Sequence, residues 1–493
     1  MRKPVFISSV IFLLSLGCSF DPTGLAYLED SSVNNLPDAD TDIQTDTDGS
    51  SEDIQDINDI NDADEDGDIS CTAEDTACLD FNQLQLCKSN GDLITVNCEF
   101  GCNDQVTPNT CLNFVPSNDL DLSILLNQDL ETTTFDLNAS FNTDNGEILV
   151  DDLPFRAAGE GMDLATGIHF EIHEMADETQ AGTFSFNILK IKEGAVVDVY
   201  GSKSIIIRAN SLFLKGIIDL SASSHKCEAN NNRCAGPGGF SGGPANTAGN
   251  GPGKGYRGEK SWGIGDETGG GGAGYLSAGG SGGGSDGGEG GNVYGNDFCE
   301  PLTGGSGGGG GGHINGAGNT DTSQGRGGGG GGAVQITIKN YLEIGNATGD
   351  PCGINANAAG GSGNDHYLNS GGGGGGSGGA VILESPRIRI YNNVIITANG
   401  GGGGAGRENQ TGSAGLFSQD PAPGADCGDC NRGGDGAATL APTPGNGDNN
   451  EGGDGTGGGG GSMGRIIVYD CIDFMSNGVF SPTPIMGGCR PTP

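Results

Sequence analysis

Glycine sets the strongest limit on what this chain can fold into. Residues 236–464 hold 82 glycines in 229 positions, and the tracts 307–312, 327–332, 371–376 and 400–404 are unbroken. Glycine adds nothing to a core and loses more backbone freedom on ordering than any other residue. Hydrophobic residues make up only 33% of the chain, so a large helical or doubly wound core is not expected. Collagen is also excluded, because the glycines keep no strict three-residue period and only 20 of 493 residues are proline. Two conformations stay open for the tracts. They are disordered loops, or polyproline-II strands lying side by side, an approach that only glycine permits. Tethering to strands at both ends favours partial order.

Between the tracts the text reads as strands. Residues 189–199 are echoed 23 positions later by 212–220. Further echoes are 342–344 resuming at 354–358, then 388–398, and more weakly 472–474 with 479–480. Each of the later three follows another strand, at 334–338, 381–383 and 466–468. Three short strands per repeat, apolar on one side, predict coils of a parallel β-helix, each burying its apolar side by stacking on the next. The tracts 327–332, 371–376 and 457–461 end just before a strand, so glycine excursions are expected to leave and rejoin the coil at fixed corners. The expected fold is all-β: a parallel β-helix interrupted by long glycine-rich excursions. A small disulfide-rich module and a disordered acidic linker precede it. The expected divisions are 1–17, 18–70, 71–117, 118–183 (a β-rich lead-in) and 184–493.

The first 18 residues read as an export signal. Arg2 and Lys3 precede a twelve-residue apolar stretch, 5–16, which is short of the roughly 20 residues that span a bilayer. Ser15-Leu16-Gly17-Cys18 resembles a bacterial lipobox, with Ser15 where leucine is usual, and makes Cys18 the expected lipid attachment site. Setting Cys18 aside leaves 14 of 15 cysteines, an even number, as expected for an exported chain whose thiols pair. From residue 21 to 68 there are 17 acids, with no Lys or Arg between 21 and 70, so an extended stalk is expected. The net charge of −42 argues against a nucleic-acid binder. Asp62, Asp64 and Asp66, followed by Gly67, match the start of an EF-hand loop, but the twelfth position is Ala73 rather than a bidentate Glu. Weak calcium association is the most this loop implies, and no other cofactor is expected.

Cys71, Cys78, Cys87, Cys98, Cys102 and Cys111 fall within 41 residues and predict three disulfides, with the pairing open among 15 possibilities. Zinc fits poorly, since only Cys98 and Cys102 are closely spaced and the segment has no histidine. Cys227, Cys234, Cys299, Cys352, Cys427, Cys430, Cys471 and Cys489 are expected to pair as well. Residues 168–173 alternate, placing His169, Glu171 and His173 on one face. Residues four apart on a strand stand about 13 Å apart, too far to share one ion, so a solvated polar face is expected. No catalytic residues are assigned. Gly-x-Ser-x-Gly at 279–283 occurs by chance in such a tract and lacks the helix that a nucleophile elbow needs. Outward residues on the coils (Lys190, Lys192, Gln335, Lys339, Arg387 and Arg389) form a thin scatter rather than an acid–base cluster.

Region 184–468 resembles the glycine-rich β-helical surface lipoproteins of diderm bacteria often labelled PE-PGRS-like, without a PE domain. The matching pieces are 194–202, Tyr294-Gly295, 301–309 and 377–383. The resemblance implies a surface structural or adhesive role and no catalytic residues. The expected function is a non-enzymatic protein anchored through lipid on Cys18 in the outer membrane or at the cell surface. Its expected partner is a surface polysaccharide or a neighbouring cell envelope. A calcium-dependent assembly protein and a polysaccharide-degrading β-helix enzyme are the alternatives.

Overall fold

The computed structural model describes residues 71–488 except for short segments, the longest being 223–234, 260–266, 313–324 and 364–369. Cys18, the acidic stalk and the aspartates 62, 64 and 66 lie outside the described residues, as do Cys227, Cys234, Cys427 and Cys489. The described residues contain strands and short 3-10 turns but no α-helix.

The described residues begin with a small antiparallel sheet of β1 (Ala77–Asp80), β2 (Gln83–Cys87) and β3 (Leu93–Asn97). The pair β4 (Cys102–Asn103) and β5 (Thr110–Cys111) follows. Next come β6 (Thr132–Phe135), β7 (Ala139–Asn142), β8 (Ile148–Val150), β9 (Leu153–Arg156), β10 (Gly161–Asp163) and β11 (Ile168–Glu174). From there the chain alternates between two sheets. Long strands β12 (Gln180–Ile191), β14 (Ser204–Leu214), β16 (Ala333–Ile344), β18 (Ala380–Ile390) and β20 (Arg465–Ser476) stack in parallel in the first. Short strands β13 (Val196–Tyr200), β15 (Ile217–Asp219), β17 (Cys352–Asn355), β19 (Val394–Thr397) and β21 (Val479–Ser481) do so in the second. A last strand, β22 (Ile485–Gly487), closes the first sheet, while antiparallel β11 and β8 flank the two stacks at their start.

Each repeat therefore shows two strands rather than the three the sequence suggested. The first two of the expected three are one continuous strand with a break of register in its middle, as between Ala209 and Ser211 or Ser385 and Arg387. The break shifts the inward phase, which is why the two halves looked separate. In β14 the inward residues are Ile205, Ile207 and Ala209, then Leu212 and Leu214. The two halves also meet different surroundings. In the first half both faces are buried, so Ile205, Ile206 and Ile207 are all inaccessible to solvent and the text is continuously apolar. In the second half only one face is covered, and the text alternates. Burying one such isoleucine or leucine contributes about 1.5–3 kcal/mol.

The glycine excursions leave after a second-sheet strand and return before a first-sheet strand, between β15 and β16, β17 and β18, and β19 and β20. Their tracts are buried and hydrogen-bonded to one another. Residues 371–379 form the centre. The amides of Gly371, Gly374 and Ser377 donate to Gly312, Gly309 and Ser306. Those of Gly372, Gly375 and Gly378 donate to Thr456, Gly459 and Ser462, and those of Gly373, Gly376 and Gly379 to Ser362, Ala359 and Ala356. Partners repeat every third residue, the period of a polyproline-II helix, which makes no internal hydrogen bonds. Three further segments donate back to the centre: Gly270 and Ala273, Gly328 and Gly331, Gly401 and Gly404. One three-fold helix thus has six neighbours. A Cβ at Gly374 would fall inside the Gly271 carbonyl, and one at Gly375 inside that of Gly401, so only glycine fits. A hydrogen bond nets about 1 kcal/mol while ordering one residue's backbone costs about 1–2 kcal/mol. The array thus depends on close contact and on the strands that fix its ends.

Candidate functional site

The six clustered cysteines close three disulfides, Cys71–Cys87, Cys78–Cys102 and Cys98–Cys111. Cys430 and Cys471 are also disulfide-bonded. Cys299 and Cys352, expected to pair, are free buried thiols. The first sheet separates them. Cys352 belongs to the core between the sheets, and Cys299 to a second cluster on the outer side, with Ile206, Ile382 and Ile467. Burial pushes each thiol up to about 11, so both stay protonated and unreactive at neutral pH. Beside Cys299, Tyr275 stacks on Tyr294 with ring centroids 4.3 Å apart. Arg465 of β20 lies over Tyr275 and pairs with Asp297 at 2.7 Å, tying this excursion to the sheet.

The outer face of the first sheet divides at the mid-strand break. Its first half carries a polar row, Ser185–Arg208–Thr337–Glu384–Tyr469, running strand to strand. Residues 117–121 cover that row. The Ser117 amide donates to Glu384 at 2.9 Å, and Thr337 Oγ1 and Gln335 Nε2 donate to the same carboxylate at 2.8 and 3.1 Å. Arg208 donates to Ser185 Oγ, the Asp121 carbonyl and Glu171 at 2.6–2.7 Å. Burial lowers the Arg208 pKa, opposed by the charge of Glu171. Gln335 is therefore an internal fastener, not an outward coil residue. The histidine face is half-buried rather than fully solvated. His173 Nε2 lies 2.8 Å from the Asn118 carbonyl and Glu171 is engaged by Arg208, while burial lowers the His169 pKa. No group of three metal-ligating side chains occurs among the described residues.

The second half of the same face is open. Register aligns Thr134, Lys190, Phe213, Glu343, Arg389 and Met475 in one row across β6, β12, β14, β16, β18 and β20. Tyr341 and Arg387 stand in the adjoining row, and Lys192, Lys215 and Tyr391 just past the strand ends. Lys190, Lys192, Lys215 and Arg387 are exposed. A groove of about 320 Å3 is lined by Thr134, Lys190, Ile191, Lys192, Phe213 and Lys215. The Lys190 ammonium lies 6.0 Å from the Phe213 ring centre, and Phe213 meets Tyr341 edge to face at 6.1 Å. Burial and the Glu343 carboxylate, which accepts from Tyr341 at 2.9 Å, push the phenol up to about 12. A side-chain hydrogen bond with Tyr391 raises the Arg389 pKa. Asp136, 3.9 Å from Lys192, Asp473, opposite Arg387, and Glu193, which follows Lys192 and accepts from Thr348, are nearby acids besides Glu343.

Lys190 and Arg389 thus share a row with aromatic company, where the sequence showed only scattered charges. The signal was present: an offset of 23 places Lys190 beside Phe213 and Lys192 two residues on beside Lys215. No protein-family model matches this chain, and neither a curated protein nor a solved structure does.

Proposed function

We propose that this chain is an exported surface protein, anchored through lipid on Cys18, with a structural or adhesive role and no catalytic step. In this reading the two alternating sheets are the coils of a parallel β-helix. The observation that carries it is the glycine array. It commits a large part of the chain to a solid, hydrogen-bonded lattice almost without side chains, and such a lattice supplies no acid, base or nucleophile. What it supplies is stiffness at the corners that follow β15, β17 and β19. The lipobox-like Ser15–Cys18 and the disulfides, which persist in oxidising compartments, support export. The likeness to glycine-rich surface lipoproteins points the same way. The test uses bacteria producing the full chain, labelled with radioactive palmitate and then treated with external protease. Label on the wild-type chain but not on Cys18→Ser, with cleavage on intact cells, is the expected result. Label that survives Cys18→Ser, or complete protection from protease, would overturn the proposal.

A further inference from the structure

The open half of the first sheet is unlike the rest of the molecule. The chain carries −42 overall, with 22 bases against 64 acids. Five of those bases, Lys190, Lys192, Lys215, Arg387 and Arg389, converge on one patch of one sheet face, against Asp136, Glu193, Glu343 and Asp473. Two aromatic rings, Phe213 and Tyr341, lie among them. The Lys190–Phe213 and Phe213–Tyr341 contacts hold those rings in place.

We propose that this face is a docking surface for a uronate-bearing polysaccharide. Three features select that occupant. The row Thr134–Lys190–Phe213–Glu343–Arg389–Met475 advances about 4.8 Å per strand, close to the length of one sugar ring in an extended chain. A linear polymer laid across the strands therefore meets a new side chain at each residue. The rings of Phe213 and Tyr341 offer apolar surface to the C–H faces of a pyranose, and the lysines and arginines pair with its carboxylates. Charge density decides against nucleic acid. Duplex DNA carries one charge per roughly 1.7 Å, and a strongly acidic molecule repels it, whereas a uronate polymer spaces its charges about one per sugar and suits a local patch. Stacked repeats expose such extended surfaces by construction.

This inference deepens the surface reading and rests on it. Its test uses the purified full chain, so it can fail while palmitate labelling and protease cleavage succeed, and the reverse. Native gels are cast with alginate, with dextran or with double-stranded DNA. The expected result is retardation by alginate, none by dextran and weaker retardation by DNA. Charge reversal in K190E/K215E/R387E should weaken alginate binding at least tenfold. The same reversal elsewhere, in K88E/K254E/R257E, should leave it within twofold. Circular dichroism checks that each variant folds, and K190Q/K215Q/R387Q replaces the first triple should it not. Equal losses in both triples would reduce the effect to net charge. That outcome would overturn the proposal, as would absence of retardation by alginate, equal retardation by dextran, or DNA binding as strong as alginate binding.

Discussion

At the residue scale, buried polar groups decide where the lead-in segment docks. Glu384 is 1% exposed and receives the Ser117 amide, Thr337 and Gln335. Removing that acceptor strands several donors in a dry site, so Glu384→Ala should lose about 2–4 kcal/mol in urea unfolding. A loss under about 0.5 kcal/mol would mean that residues 117–121 dock by apolar contact alone. Asp144 offers a pH test. Burial raises its pKa, but hydrogen bonds from Ser202 and the nearby Lys203 outweigh this and hold the carboxyl below its ordinary 3.8. A carboxylate depressed on folding stabilises the protein above its unfolded value, and that contribution disappears as pH falls through the folded one. The thermal midpoint should therefore fall more steeply below pH 3.8 in the wild type than in Asp144→Asn. Parallel curves would assign Asp144 no share of the acid sensitivity.

At the element scale, the glycine tracts are built elements rather than connections. Gly374→Ala puts a methyl group into the Gly271 carbonyl, and the backbone there cannot yield because it is bonded on other sides. A loss of about 3 kcal/mol is expected from such overpacking. Gly349, unlike Gly374, has a positive φ, +84°, but open space around it, so Gly349→Ala should cost only about 1 kcal/mol, from backbone strain. Chemical denaturation of the two variants side by side measures the difference. Equal costs would place the tracts in loose loops. Much at this scale was legible in the text. The echo at 23 residues gives the register of β12 on β14, Leu189 beside Leu212, and the glycine runs mark the corners where the excursions rejoin. The long bent strand was not legible, because a phase shift in mid-strand looks like a gap between two short ones.

At the scale of the whole molecule, sequence offsets stop being informative where the excursions begin. Between β14 and β16 more than a hundred residues intervene, yet Phe213 and Glu343 are neighbours. No fixed spacing in the text spans that distance. The echoes put Phe213, Glu343 and Arg389 at matching positions, but that the excursions let them stand side by side as one open face was hidden. The pairing of Glu384 with Ser117, 267 positions earlier, was hidden in the same way. The three-residue period of the glycine helices has a wider consequence. It gives the array a reading frame. One glycine added between Gly373 and Gly374 would turn every later amide by a third of a revolution and aim it at the wrong neighbour. Three added together would restore the phase and lengthen the helix by one turn. Excursions of this kind can grow or shrink only in whole turns, so their permitted lengths form a ladder, and the glycine array can lengthen in steps while the two strand stacks stay the same.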